Sequence, residues 1–385
     1  MTLKPLGLVT LHSPASTAPG IPKSCRFHAR ELARLEWRVG EPGDPAELIE
    51  AFLLQHKVSS GDPVCGASVL LSAAAGAAMI GGPLGAPSPV PAVPDVAVVV
   101  YEHGPRHQDD ESGGDWRLGP WRPSWTPQRH AEAVQEVRES IERGDVYQVN
   151  VVGHAAADYE GDPTRALHRL TRLAGARYAG VLGGDGWAVA CASPETLLEV
   201  RGSRVITRPI KGTAAATDVG KAALLASPKE RAEHIMIVDL ARNDLAHVAA
   251  IGSVRVPQLF AVRRWVDLWQ AESDVEAILR PGTGLADLLR AVCPGGSVTG
   301  APKLAALAEI ERLEPVGRGP AMGALGWIGS NRLDLGLTIR TAAVDSHQVH
   351  VWAGGGITID SDPVAEVAEA QAKAAPVQRA LTGWA

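Results

Sequence analysis

Residues Lys229–Leu245 read KERAEHIMIVDLARNDL and follow directly on Ser227-Pro228. Serine at the cap, proline at the first helical position and Glu230 at the capping-box position mark the start of a helix. Once the helix runs, Glu230 and Glu233 fall one turn apart on a common face, and Ile235, Met236, Val238 and Leu245 offer apolar surface for burial. Far downstream, Asp362–Glu369 (DPVAEVAE) repeats this grammar, placing Glu366 and Glu369 on a second helical turn with Lys373 one turn beyond. Four carboxylates brought together repel one another unless a cation sits among them, and an all-oxygen set favours a hard ion such as Mg²⁺. Taken singly, each Glu-x-x-Glu pair equally describes a solvated helix face whose N-terminal dipole favours acidic groups.

The segments between these helices read as strands. Thr126-Pro127 is another cap and first-turn pair, with Val134, Val137 and Ile141 as the apolar stripe and Gly144 as the stop. Asp145–Val152 (DVYQVNVV) then alternates as a strand with Gln148 near its start. Ser193-Pro194-Glu195 puts a carboxylate at a turn between apolar strands at 188–190 and 197–200. Val205–Ile210 is a strand running into Lys211-Gly212-Thr213. A lysine amid β-branched residues is a candidate for a desolvated amine with a lowered pKa, and equally for a side chain reaching outward from a strand end.

Pro294–Lys303 (PGGSVTGAPK) is a glycine-rich turn opening a helix to about Glu314, whose exposed backbone N–H groups would hold an anion. Leu335–Ala343 reads as one strand that buries Arg340, which then needs an anionic partner. Val349–Trp352 reads as a strand ending in Ala353-Gly354-Gly355-Gly356, where backbone can approach a ligand.

With 385 residues, 45% hydrophobic and 21% charged, the chain can build a substantial core. The net charge of −6 and the absence of a basic stripe argue against nucleic-acid binding. No apolar run escapes a breaker long enough to span a membrane, and the N-terminal MTLKPLGLVTLHSPAS lacks the sustained apolar core of a signal peptide. Cys25, Cys65, Cys191 and Cys293 are scattered without metal-site spacing, as expected of buried thiols in a reducing cytoplasm. His103 and His107 have i,i+4 spacing, but Gly104-Pro105 between them breaks any helix that would present both to a metal. Residues 1–125 are Pro-rich, with one clear strand at Asp95–Tyr101, and read as short strands joined by irregular loops. This region carries no legible function of its own.

Seven stretches in order then show a resemblance: GDVYQVN (144–150), SPE (193–195), RPIKGT (208–213), AEHIMIVDLARNDL (232–245), PGGSVTGAPK (294–303), IRTA (339–342) and AGGGITIDSDP (353–363). Together they resemble the chorismate-utilising enzymes, which include anthranilate, aminodeoxychorismate, isochorismate and salicylate synthases. The resemblance spans roughly residues 126–385. It implies an α+β fold in which two antiparallel sheets pack together with helices outside and the active site in the cleft between them, with residues 1–125 contributing to the sandwich.

It implies Mg²⁺ held directly by Glu233 and Glu369, with Glu230 and Glu366 holding its waters. Arg340, the amides of Gly354 and Gly356, and Lys373 match groups that meet the carboxylates of chorismate, with Thr213, Thr299 and Gln148 also lining the substrate site. Glu195 matches the acid that protonates the departing C4 hydroxyl. Gln148 stands where water-using relatives carry a lysine base, which implies ammonia as nucleophile, supplied by a glutamine amidotransferase subunit. Lys211 in P-I-K-G-T resembles the aminodeoxychorismate synthase branch, where that amine attacks C2 before ammonia enters at C4. The implied product is 4-amino-4-deoxychorismate, a precursor of p-aminobenzoate and folate.

Three departures stand out. A family histidine aligns with Trp269, a family tyrosine with Ala321, and an arginine after the G-T-x-P pattern is replaced by Ala214–Ala216. An anthranilate synthase and a catalytically silent chorismate-binding relative remain alternatives on these residues.

Overall fold

Residues Trp187–Ser193 (WAVACAS) show no polar face. Trp187, Val189 and Cys191 enter one apolar core, while Ala188, Ala190 and Ala192 enter another. That two-residue alternation is a strand buried on both sides, so it needs a second sheet over one face and helices over the other. The computed structural model, which describes residues 28–58, 64–103, 114–330 and 332–383, has this layering.

In chain order the first part supplies β1 (His28–Trp37), α1 (Pro45–Gln55), β2 (Val64–Leu71), α2 (Ala73–Met79), β3 (Val96–His103), β4 (Trp116–Leu118) and β5 (Arg122–Pro123). Next come α3 (Pro127–Glu142), β6 (Gln148–Gly161), α4 (Thr164–Thr171), β7 (Tyr178–Gly184), β8 (Trp187–Ser193), β9 (Thr196–Arg201), β10 (Arg204–Arg208) and β11 (Ile210–Ala215). Then follow α5 (Asp218–Ala226), α6 (Pro228–Ala246), β12 (Arg255–Trp265), β13 (Leu268–Ile278), α7 (Leu285–Val292), β14 (Gly300–Ala301) and α8 (Lys303–Leu313). The chain ends with β15 (Ala324–Gly329), β16 (Arg332–Leu337), β17 (Thr341–Val344), β18 (Gln348–Ile357) and α9 (Pro363–Thr382).

Among the described residues a ten-stranded sheet runs β1-β3-β2-β15-β16-β9-β10-β13-β11, with β12 also on β13. An eight-stranded sheet runs β14-β6-β18-β17-β8-β7, with β4 and β5 on β6. The strand pairings are antiparallel, and the main core lies where Val98, Leu198 and Leu325 of the larger sheet meet Leu182, Val189 and Trp352 of the smaller. Helices α4 and α9 cover the outer face of the smaller sheet through Leu167, Leu170, Val377 and Leu381. The fold is therefore the α+β sandwich expected, and residues 28–103 supply three strands of its larger sheet.

Caps behave as the sequence dictates. Ser227 accepts a hydrogen bond from the Glu230 N–H at 3.2 Å, Asp362 from Ala365 at 2.8 Å and Thr126 from Arg129 at 3.1 Å.

Several boundaries differ from expectation. Leu335–Ala343 is not one strand: β16 lies in the larger sheet, β17 in the smaller, and the chain crosses between them at 338–340. Arg340 takes φ +53° at that crossing, a conformation a non-glycine residue holds only when its surroundings enforce it. The expected strand at Val205–Ile210 is cut at Pro209 into β10 and β11. The glycines after Trp352 do not end a strand, since β18 continues to Ile357 against β6. Helices α1 and α2 lie where only strands and loops were expected. On α6, Ile235 is exposed and Ile237 is buried instead.

Cys65, Cys191 and Cys293 are buried, and Cys191 and Cys293 are free. Cys25, His107 and the N-terminal stretch tested for a signal peptide lie outside the described residues. No described helix is long and apolar enough to cross a membrane.

Candidate active site

Two short chain crossings between the sheets supply two of the expected site residues. Glu195 sits between β8 of the smaller sheet and β9 of the larger, and Arg340 sits between β16 and β17. Both are almost fully buried, at 4% and 5% exposure, and both line one cleft together with Lys211, Thr213, Glu369 and Lys373.

Glu195 accepts hydrogen bonds from the Ser297 hydroxyl at 2.6 Å and the Ile210 N–H at 3.3 Å. Burial outweighs these bonds and raises its pKa to about 7, so near neutral pH it holds a proton it can give away. Arg340 lies with its guanidinium carbon 4.7 Å from the Trp265 ring centroid. Its Nε is buried without a hydrogen-bond partner, and among the described residues it forms no ion pair. Burial lowers it to about 10, the signature of a desolvated cation turned toward the cleft.

Helix α6 grips Lys211 at both ends. The Glu233 carboxylate meets its amine at 2.8 Å, and the amine also donates to the Gly356 carbonyl at 2.8 Å. His234, fully buried, has Nδ1 2.8 Å from the Lys211 carbonyl and Nε2 2.6 Å from the Ser273 hydroxyl. A carbonyl only accepts, so Nδ1 carries the proton. Burial lowers the pKa of His234, and the neutral ring then takes the Ser273 proton at Nε2 while Ser273 accepts from the Phe260 N–H. His234→Leu leaves the Lys211 carbonyl and Ser273 unpaired. It should cost roughly 1–3 kcal/mol of stability, read as a lower melting temperature with the loss confined to this variant and absent from His168→Leu.

The expected depressed pKa of Lys211 is overturned. Burial alone would lower it, but Glu233 raises it more, with Glu366 and Glu369 adding to the effect. The ammonium is the cation of a carboxylate cluster rather than a desolvated free amine.

Glu233 also accepts from the Thr358 hydroxyl at 2.7 Å, and Glu366 from Ser361 at 2.7 Å. Glu369 pairs with Lys373 at 2.6 Å, and although burial pushes its carboxyl up, Lys373, Lys211 and Arg340 hold it down to about 2. Burial raises Glu230, and its neighbours Glu233 and Glu369 add to the rise; burial and Glu369 do the same to Glu366. Helices α6 and α9 thus bring their glutamates together, with Lys211 and Lys373 paired among them and Lys229 3.8 Å from Glu233. No three acidic, histidine or cysteine side chains among the described residues are arranged to hold a metal as they stand. The donor chemistry, carboxylate oxygen with no sulfur or imidazole, fits a hard divalent cation.

The glycine strand forms the cleft edge. The Asn150 and Val152 N–H groups are spent on the Thr299 carbonyl and the Glu314 carboxylate, facing away from β18, so their partners Gly356 and Gly354 form non-hydrogen-bonded pairs with β6. Both glycines therefore present N–H and C=O outward, and their carbonyls receive Lys211 and Lys373 (2.9 Å). A Cβ at Gly356 would fall 2.7 Å from Gln148 Nε2, so glycine lets the Gln148 carboxamide lie over the strand. Gln148 itself is 1% exposed, with both amide atoms unpartnered.

Thr213 lines the cleft, but Gln148, buried behind the glycine strand, and Thr299 do not; Thr299 lies on the glycine-rich turn. Its hydroxyl donates to the Gly295 carbonyl at 2.8 Å and braces the glycine-rich turn from behind. The start of α8 is likewise occupied: Lys303 pairs with Asp244 at 3.1 Å, and the turn reaches the cleft through Ser297 and Val298 instead of the helix N-terminus.

Trp269 faces away from the cleft. Its indole donates to the Thr217 carbonyl at 3.0 Å and Lys221 rests 4.9 Å from its ring. The next residue, Gln270, is 3% exposed and lines the cleft. Ala321 is core, and the neighbouring Met322, at φ +59°, reaches the cleft wall. Asn150, Gln270, Ser297, His234 and Met322 were not singled out from the sequence. Alternation along β13 puts Gln270 on a polar face with Glu272, Asp274 and Glu276 and Trp269 on the other, so the signal was present, but a polar face does not by itself tell a cleft from solvent.

A family model described as chorismate binding enzyme matches residues 92–379. The aminodeoxychorismate synthase component 1 of Klebsiella aerogenes is 39% identical over 256 residues, 65% of this chain and 57% of that protein. The protein of the same name from Bacillus subtilis is 35% identical over 270 residues, 68% of this chain and 57% of that one. Anthranilate synthase component 1 of Aquifex aeolicus is 37% identical over 268 residues, 68% of this chain and 54% of that protein. The chain thus aligns with little more than half the length of these curated relatives. A crystal structure of anthranilate synthase component I from Streptococcus pneumoniae superposes with a TM-score of 0.79 at 24% identity, covering 92% of this chain and 91% of that one.

Proposed function

The chain belongs to the chorismate-binding enzymes, and from that membership we propose that it aminates chorismate at C4 with ammonia to give 4-amino-4-deoxychorismate, as an aminodeoxychorismate synthase component 1. The observation that carries this reading is Lys211: a buried amine on the cleft wall, held between Glu233 and the Gly356 carbonyl, at a position to bond a bound ring. Relatives of that name match in the same identity range as anthranilate synthases, which makes anthranilate formation the second reading.

Arg340, Lys373 and the amides of Gly354 and Gly356 receive the substrate carboxylates. Glu233 and Glu369, with Glu230 and Glu366 behind them, would hold Mg²⁺, whose bound charge would neutralise a ring carboxylate. The Lys211 ammonium first gives a proton to one of the carboxylates around it; the neutral amine then attacks C2, and Glu195 gives its proton to the C4 hydroxyl, which leaves as water. The proton released from the Lys211 nitrogen balances the one Glu195 loses. Ammonia then bonds to C4 as the Lys211–C2 bond breaks and the lysine nitrogen regains a proton. A glutamine amidotransferase subunit would supply that ammonia.

Incubation with chorismate, Mg²⁺ and ammonium should give a product that a lyase converts to p-aminobenzoate. Fluorescent anthranilate would establish the second reading, and unchanged chorismate would overturn both.

A further inference from the structure

The cleft holds more hydrogen-bond acceptors than a dianionic substrate can use. Asn150, 7% exposed, donates through Nδ2 to the Ser297 carbonyl at 3.4 Å, which leaves its Oδ1 buried without a partner. Gln270 Oε1 on the cleft wall is likewise buried and unpartnered among the described residues, as are Oε1 and Nε2 of Gln148, which lies behind Gly356 next to the cleft lining. A carboxylate brings only acceptors, so it matches Arg340, Lys373 and the glycine amides but cannot satisfy these three oxygens. A buried acceptor left unpaired is costly, so the ligand that completes this site brings N–H or O–H donors.

The three oxygens belong to side chains on both sides of Lys211. Gln148 and Asn150 lie two residues apart on β6, Asn150 opposite Gly356, whose carbonyl accepts from the Lys211 amine. Gln270 comes from the larger sheet, opposite Thr213 on the strand that carries Lys211. We propose that Asn150, Gln270 and Gln148 form the binding subsite for ammonia, their carbonyl oxygens taking its N–H groups beside the substrate ring. This rests on the amination reading and adds which residues hold the second substrate. The C4 hydroxyl of the ring offers the same donor chemistry, and the experiment separates the two.

Initial rates are measured against ammonium chloride at saturating chorismate and Mg²⁺, and chorismate dissociation is measured separately by Trp fluorescence. Gln270→Met, which keeps the shape and removes the oxygen, should raise the KM for ammonia about tenfold while shifting the chorismate Kd by under about twofold. Gln270→Glu, which keeps acceptor oxygens, should restore the ammonia KM. Asn150→Leu, which keeps the shape and has no acceptor, removes the oxygen from the other sheet and should repeat the effect should Gln270→Met not fold. An unchanged ammonia KM in the folded variants, or a weakened chorismate Kd in its place, would overturn the subsite alone. No ammonium-dependent consumption of chorismate by the unmodified protein would overturn the amination reading and the subsite with it.

Discussion

Lys211→Ala should form no covalent adduct when incubated with chorismate and Mg²⁺ without ammonia, whereas the unmodified protein should gain the mass of a dehydrated chorismate. The variant also loses the ammonium that Glu233 contacts at 2.8 Å and that interacts with Glu230, Glu366 and Glu369. Removing one partner of a buried pair leaves the other uncompensated and costs about 3–5 kcal/mol. Its melting temperature should therefore fall, and Mg²⁺ should raise it more in the variant than in the parent, because a ligand of the folded state stabilises by the logarithm of its concentration over Kd and loss of the ammonium lowers that Kd. An adduct that survives in Lys211→Ala would assign the nucleophile elsewhere. A melting temperature unaffected by the substitution would refute the description of Lys211 as the cluster's cation.

Glu195→Gln should lower kcat by roughly 10²–10⁴-fold, the usual contribution of a positioned acid. With its pKa raised to about 7, Glu195 loses its proton above neutrality, so kcat of the parent should fall on that side while the residual rate of the variant stays flat. Stability should fall over the same pH range. A carboxyl whose folded pKa lies above its unfolded value of 4.5 contributes stability fully present below pH 4.5 and lost as pH rises through about 7. At pH 8 the parent carries a buried charge that glutamine does not, and Glu195→Gln should be the more stable by roughly 3 kcal/mol, with the advantage fading below pH 5. Equal stability of the two proteins at pH 8 would place Glu195 in contact with solvent or a cation.

Both residues were found in the sequence, but their surroundings were not. Glu195 was read as a carboxylate at a turn between strands, the resemblance implied an acid that holds its proton, and burial by both sheets is what keeps it protonated. Lys211 was read as an amine lowered by its apolar strand, and Glu233 reverses the sign. Burial and pairing are sums over neighbours from distant parts of the chain, and a local window contains one neighbour at most.

Helix starts at Ser227, Asp362 and Thr126, the two-sided burial of Trp187–Ser193, and the pairing of Glu230 with Glu233 and Glu366 with Glu369 were written locally, because caps and helical or strand periods act over three or four residues. Which of two adjacent residues faces the cleft was not. Gln270 shares one face of β13 with Glu272, Asp274 and Glu276 and Trp269 shares the other with Ala271, Ser273 and Val275; the alternation separates the two residues, but a polar face is equally the mark of solvent, and only the packing of the second sheet turns it toward the cleft. Arg340 reaches it because the chain changes sheets there, and one continuous apolar run carries no sign of that change. Thr299 stays behind the turn because its hydroxyl finds the Gly295 carbonyl first. The kinds of chemistry available were set residue by residue along the chain; their direction, protonation and company were set by packing two sheets face to face, since those properties depend on contacts that do not exist until the sheets close.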